Sequence, residues 1–92
     1  MHPDELKEIL TADPRPLILE FWAPWCAPCR RMAPVLEKIS AQYGDRVRLV
    51  KINADESADL AQSLKVMGIP TLIAYAQGSE VQRHTGALND TQ

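Results

Sequence analysis

Phe21-Trp22-Ala23-Pro24-Trp25-Cys26-Ala27-Pro28-Cys29-Arg30 is the stretch on which the reading of this chain turns. It holds both cysteines, both tryptophans and two of the seven prolines in 92 residues. An apolar run, Leu17-Ile18-Leu19, leads into it, and a segment of helical periodicity leaves it. A Cys-x-x-Cys pair thus lies where a strand hands over to a helix, which is the setting of a redox pair. As a structural staple it would be poor, because the loop it closes is tiny and loop-closure stabilisation grows with loop length.

Working outward, Leu17 to Trp22 is a nearly continuous apolar run broken by Glu20, as in a strand covered on both faces. Ahead of it, two prolines in Thr11–Pro16 separate it from a short amphipathic helix, Asp4–Leu10, with Leu6, Ile9 and Leu10 on one face. Behind it, Met32, Val35, Leu36, Ile39 and Tyr43 trace one face of a helix over Pro28–Tyr43. Pro34 inside that helix removes a hydrogen bond and should kink it. Gly44-Asp45 ends it, and Val47–Ile52 reads as a second strand. Asp55 or Ser57 is placed to cap a third helix carrying Leu60 and Leu64, which Gly68-Ile69-Pro70 would stop. Thr71–Tyr75 is a strand, Gln77-Gly78-Ser79 a turn, and Glu80–Thr85 a polar strand suited to a sheet edge. Asn89-Asp90-Thr91 looks like a helix start. Strands alternating with helices predict a parallel pairing first and an antiparallel hairpin last: a single α/β domain with its sheet layered between helices.

Composition narrows the function classes. The chain is 46% hydrophobic and 24% charged, as in an ordinary globular domain. A net charge of −2 argues against nucleic acid or an anionic membrane surface as the main partner. The N-terminus, Met1-His2-Pro3-Asp4-Glu5, has no secretory-signal pattern, and no apolar run is long enough to span a membrane.

The motif suits thiol chemistry. A thiolate is the attacking species, so the reactive cysteine needs a lowered pKa. Cys26 would begin the helix, where unpaired N–H groups and the helix dipole favour negative charge. Pro28 fits a first helical turn, and Arg30 and Arg31 add positive charge nearby. Cys29, one turn on, is placed to attack a mixed disulfide formed on Cys26. The rival is a zinc site, for which only His2 and His84 could complete the shell. Haem attachment would need a histidine where Arg30 stands. Glu20 is either a buried acid able to trade protons with a thiol, a residue of an exposed sheet face, or a partner of Lys51. Ile69-Pro70-Thr71 by itself reads as a loop with an ordinary trans proline. His84 reads as a solvated surface residue, and Tyr43 and Tyr75 as core or boundary residues.

Together these residues resemble the thioredoxin family over about Leu17 to Leu88. Phe-Trp-Ala-x-Trp-Cys-x-Pro-Cys at 21–29 carries the likeness, with Pro34, Lys51, Gly68-Ile69-Pro70-Thr71, Gly78 and Gly86-Ala87-Leu88 at matching relative places. The resemblance implies a thioredoxin-like three-layer α/β/α sandwich with a mixed, about four-stranded sheet. It implies Cys26 as nucleophile and Cys29 as resolving cysteine, with Glu20 accepting the Cys29 proton and Lys51 close to it. Pro70 would be cis, facing the active site, with the backbone beside Ile69 and Gly68 pairing with an extended substrate. Trp25, Ala27, Pro28 and Gly86 would border that groove. The expected activity is reduction of protein disulfides with no bound cofactor beyond a Cys26–Cys29 disulfide, in the cytoplasm. The pair would be re-reduced by a donor such as thioredoxin reductase. Rival activities are an oxidant or isomerase relative and a client-binding module with idle cysteines. Glu20 stands where thioredoxins usually have aspartate, and Ala27 where they have glycine. The family's first strand and last helix have no counterpart here. That predicts a fold trimmed at both ends, with self-association through an edge strand at Val47–Ile52 or an uncovered sheet face.

Overall fold

A computed structural model of the chain describes residues 1–86. Helix α1 spans Pro3–Ala12. His2 caps it: its Nδ1 accepts the Asp4 N–H at 3.1 Å, and the Glu5 carboxylate accepts the His2 N–H at 3.1 Å. Pro3 fills the first turn, and Asp4 and Glu5 place negative charge at the positive end of the helix dipole. Strand β1 is Leu17–Trp22, α2 is Ala27–Tyr43 and β2 is Arg48–Asn53. A short 3-10 turn, Gly44–Arg46, joins α2 to β2. Helix α3 is Ala58–Ser63, and the hairpin strands are β3, Thr71–Ala76, and β4, Ser79–Thr85.

The described strands form one sheet in the order β2-β1-β3-β4. β1 and β2 run parallel, while β1–β3 and β3–β4 are antiparallel. Strand alternation sorts β1 into two faces. Leu17, Leu19 and Phe21 are fully buried on one, joined by Ile52, Ile73 and Tyr75 and closed by Leu6 of α1 and Leu60 of α3. Burying each such side chain stabilises the fold by about 1.5–3 kcal/mol. On the other face Ile18 and Leu49 meet Leu36, Ile39 and Tyr43 of α2 across a small apolar pocket. The result is the α/β/α sandwich with a mixed sheet.

Several local details differ from the sequence reading. Helix α3 ends at Ser63, well before Gly68-Ile69-Pro70. It is closed by Lys65, whose φ of 58° lets the Lys65 N–H bond the Gln62 carbonyl and the Val66 N–H the Ala61 carbonyl. A lysine does here what glycine usually does, so the stop carries no composition signal. Neither Asp55 nor Ser57 caps α3: Ser57 sits at the cap position without a capping bond, and its hydroxyl accepts from the Met1 amino group instead. Tyr75 is core, but Tyr43 is 45% exposed, with the Arg46 guanidinium over its ring. His84 is half-buried opposite Leu72 rather than fully solvated. The hairpin turns at Gln77-Gly78, both with positive φ, the geometry that matches strand twist. Asn89-Asp90-Thr91 and Leu88 lie outside the described residues.

Candidate redox site

Strand β1 ends at Trp22, and the chain turns through Ala23, whose carbonyl accepts the Cys26 N–H at 3.1 Å. Cys26 is the N-cap of α2, with extended φ and ψ of −87° and 103°. Its Sγ accepts the backbone N–H of Cys29 at 3.2 Å, taking the place of a capping oxygen. Pro28 lies in the first turn, where its missing N–H is not needed. Cys26 and Cys29 are joined as a disulfide with their Cα atoms 5.3 Å apart. In this state the two residues are equally hidden, at 4% and 3% exposure. What separates them is the helix terminus: only the Cys26 sulfur lies against the free N–H groups. The Arg30 guanidinium turns back over the same loop and donates to the Pro24 carbonyl at 2.6 Å.

The pair packs against Ala23, with Trp22 and Ile69 covering it. The Ile69–Pro70 bond is cis, as the family resemblance implied and the local sequence did not. Pro70 is buried, and its carbonyl accepts the Gly86 N–H at 2.8 Å. The Thr71 hydroxyl donates to the Gly68 carbonyl and lies 3.3 Å from the Thr85 hydroxyl. These bonds pin the 68–71 segment to the end of β4 and hold Ile69 on the disulfide.

Glu20 is on the α2 side of β1 and is only 1% exposed, which rules out the exposed-face reading. Its Oε1 has no hydrogen-bond partner, and the Lys51 ammonium lies 3.9 Å away. Burial pushes the carboxyl pKa above its ordinary value, and the Lys51 charge pulls it partly back. Cys29 lies in the first turn of α2, the helix that covers this face of β1.

Trp25 is 66% exposed, and its Nε1 donates to Asp55 Oδ2 at 2.8 Å. Asp55 is in turn held by the bond from its N–H to Asn53 Oδ1 at 2.9 Å. The sequence offered Asp55 or Ser57 as a helix cap, and it placed Trp22 in the motif without a contact of its own. The usable signal is topological, since loops leaving the carboxyl ends of two adjacent parallel strands must meet at one rim. Ala27 sits between the cysteines, while Gly68 and Gly86 lie on the opposite, cis-proline side. His2 is used in the α1 cap, and among the described residues no cluster of three or more His, Cys, Asp or Glu could hold a metal. No described helix is long and apolar enough to cross a membrane.

The family model described as Thioredoxin matches residues 1–92. Thioredoxin 1 of Synechococcus elongatus is 43% identical over 76 residues, which cover 83% of this chain and 71% of that protein. Thioredoxin 1 of a Nostoc species is 40% identical over 85 residues, covering 92% and 78%. Among solved structures, Fasciola hepatica thioredoxin superposes with a TM-score of 0.86 at 30% identity, covering 96% of this chain and 84% of that one.

Proposed function

Because the chain belongs to the thioredoxin family, we propose that Cys26, Cys29, Glu20, Lys51 and Pro70 carry its reaction in distinct roles. The chain is a thiol–disulfide oxidoreductase that reduces protein disulfides. The observation that carries the assignment of roles is the N-cap bond from the Cys29 N–H to Cys26 Sγ. In the dithiol state that position favours the Cys26 thiolate, which attacks one sulfur of the substrate disulfide. The other substrate sulfur leaves as a thiolate and takes a proton from solvent. Cys29 then gives its proton to the Glu20 carboxylate and attacks Cys26 Sγ. The second substrate thiolate departs, and two electrons have passed from the Cys26/Cys29 dithiol to the substrate. The raised pKa of Glu20 suits this role, because it makes the carboxylate a better proton acceptor than an ordinary one.

Trp25, Ala27 and Pro28 form one wall of the substrate groove, and Gly68, Ile69, cis Pro70 and Gly86 the other. An extended segment on either side of the target disulfide would pair with the backbone at Ile69. The couple itself holds the electrons, so the reaction needs no bound cofactor. Its partners are disulfide-bearing proteins and an electron donor such as thioredoxin reductase, and a reducing compartment such as the cytoplasm keeps the pair ready. Titration of the Cys26/Cys29 couple against glutathione tests this reading. A potential near about −270 mV supports a reductase, and one near about −180 mV moves the chain to the isomerase group, with Glu20 the first suspect. Failure to form a reversible disulfide would remove the catalytic roles altogether.

A further inference from the structure

Lys51 stands in register opposite Glu20, and Trp22, two residues further along β1, is its diagonal neighbour on the same face. Its Nζ lies 3.9 Å from Glu20 Oε1 and 5.1 Å from the centre of the Trp22 ring. The first distance is too long for a hydrogen bond, and Glu20 Oε1 has none from any other group. The ammonium is therefore held between a carboxylate and an aromatic face. The same indole packs against Ala23, Cys26 and Cys29. Trp22 thus joins the redox pair on one side to the buried acid's counter-charge on the other.

We propose that Trp22 is a positioning residue for the exchange reaction: its ring face keeps the Lys51 ammonium beside Glu20 in both protonation states of that carboxyl. The proposal rests on the reading that Glu20 exchanges a proton with Cys29. A charge pair alone would hold the lysine only while Glu20 is ionised. Once the carboxyl takes the proton, a flexible side chain that is 46% exposed has no electrostatic reason to stay out of water. The ring quadrupole attracts a cation whatever the state of Glu20. The ammonium then remains in place to favour loss of the proton, and the acid is reset for the next turnover.

The other groups around Glu20 leave this task to Lys51. From β3 it faces Leu72, which carries no charge. His84 of β4 lies beyond Leu72, two strand spacings or about 10 Å away. At the start of α2 stand Cys26 and Cys29, joined as a disulfide that does not titrate. The Arg30 guanidinium is turned to the Pro24 carbonyl, and Arg31 is exposed.

The test is an NMR titration of the Glu20 side-chain carboxyl in the oxidised protein, alongside Trp22→Leu, Trp22→Phe, Lys51→Met and the Trp22→Leu/Lys51→Met double variant. Trp22→Leu should move the Glu20 midpoint upward, in the same direction as Lys51→Met and no further. Trp22→Phe should stay near the parent, and Trp22→Leu should add nothing once Lys51 is gone. An undiminished shift in the Lys51→Met background would show that Trp22 acts by packing and would overturn the proposal. So would a Phe variant that behaves like the Leu variant. The unsubstituted protein gives a second check, independent of variant folding. The Lys51 side-chain protons next to the ammonium should keep their ring-current shift below the Glu20 midpoint, and a return to solvent values there refutes the idea. If Glu20→Gln leaves the exchange rate unchanged, the acid's role fails while the lysine's placement still stands on these titrations.

Discussion

Replacing Glu20 by leucine should make the oxidised protein more stable at neutral pH. Glu20 is 1% exposed, its Oε1 lacks a hydrogen-bond partner, and its charged neighbour is 3.9 Å away. A buried polar group left in that condition costs about 1–3 kcal/mol. Leucine fills a similar volume with no such cost. Removing one member of a buried ion pair is usually harmful because it strands the other. Lys51, however, is 46% exposed and lies over the Trp22 ring, so it is not stranded. The expected gain is about 1–3 kcal/mol, and each kcal/mol should raise Tm by about 4–8 °C in a domain of this size. Chemical denaturation at several pH values gives the decisive comparison. The Glu20 pKa is raised in the folded state, so folding favours its protonated form. In the parent protein that stability is fully present below the unfolded value of about 4.3, and it is lost as pH rises through the folded value. Glu20→Leu has no such loss, so its advantage should be smallest at pH 4 and grow as pH rises through the folded value. A variant that is less stable than the parent, or an advantage that does not shrink in acid, would refute the claim that Glu20 is a strained buried acid.

Two further outcomes are expected elsewhere in the fold. Arg48 donates to the carbonyls of Ile9, Asp13 and Arg15 and lies 3.8 Å from the Asp13 carboxylate, tying β2 to α1 and the loop after it. Arg48→Met should cost about 2–3 kcal/mol, read by urea denaturation, with the exchange rate per folded molecule unchanged. Asp55→Ala frees the Trp25 indole at the groove rim. It should raise KM for a protein disulfide about 2–10-fold while leaving turnover of a small aromatic disulfide unaltered, since only the larger substrate reaches that wall.

The layout of the chain was legible wherever periodicity and chemistry agreed. Leu17–Trp22 read as a doubly covered strand because β1 lies inside the sheet with a helix layer on each face. The helix after Cys26 and the Gln77-Gly78 turn were readable from apolar spacing and from glycine at a position of positive φ. Legibility failed where a residue took an unusual part. Lys65 closed α3 in a left-handed conformation, and Asp55, a plausible cap by position, turned to Trp25 instead.

By itself the sequence determined the α/β class, the Cys26–Cys29 pair at a strand-to-helix junction and the direction in which a helix dipole would bias the two sulfurs. These are local properties, set by side-chain period and by each residue's near neighbours along the chain. Only the tertiary structure excluded the exposed-face reading of Glu20 and set it beside Lys51, because burial depends on which strand face α2 covers. It also settled the cis state of Ile69–Pro70, whose isomers are close in local energy, so that long-range contacts such as the Gly86 bond select one. The Lys51 ammonium between Glu20 and Trp22 is likewise a product of strand register, which brings together residues that lie about 30 positions apart in the chain.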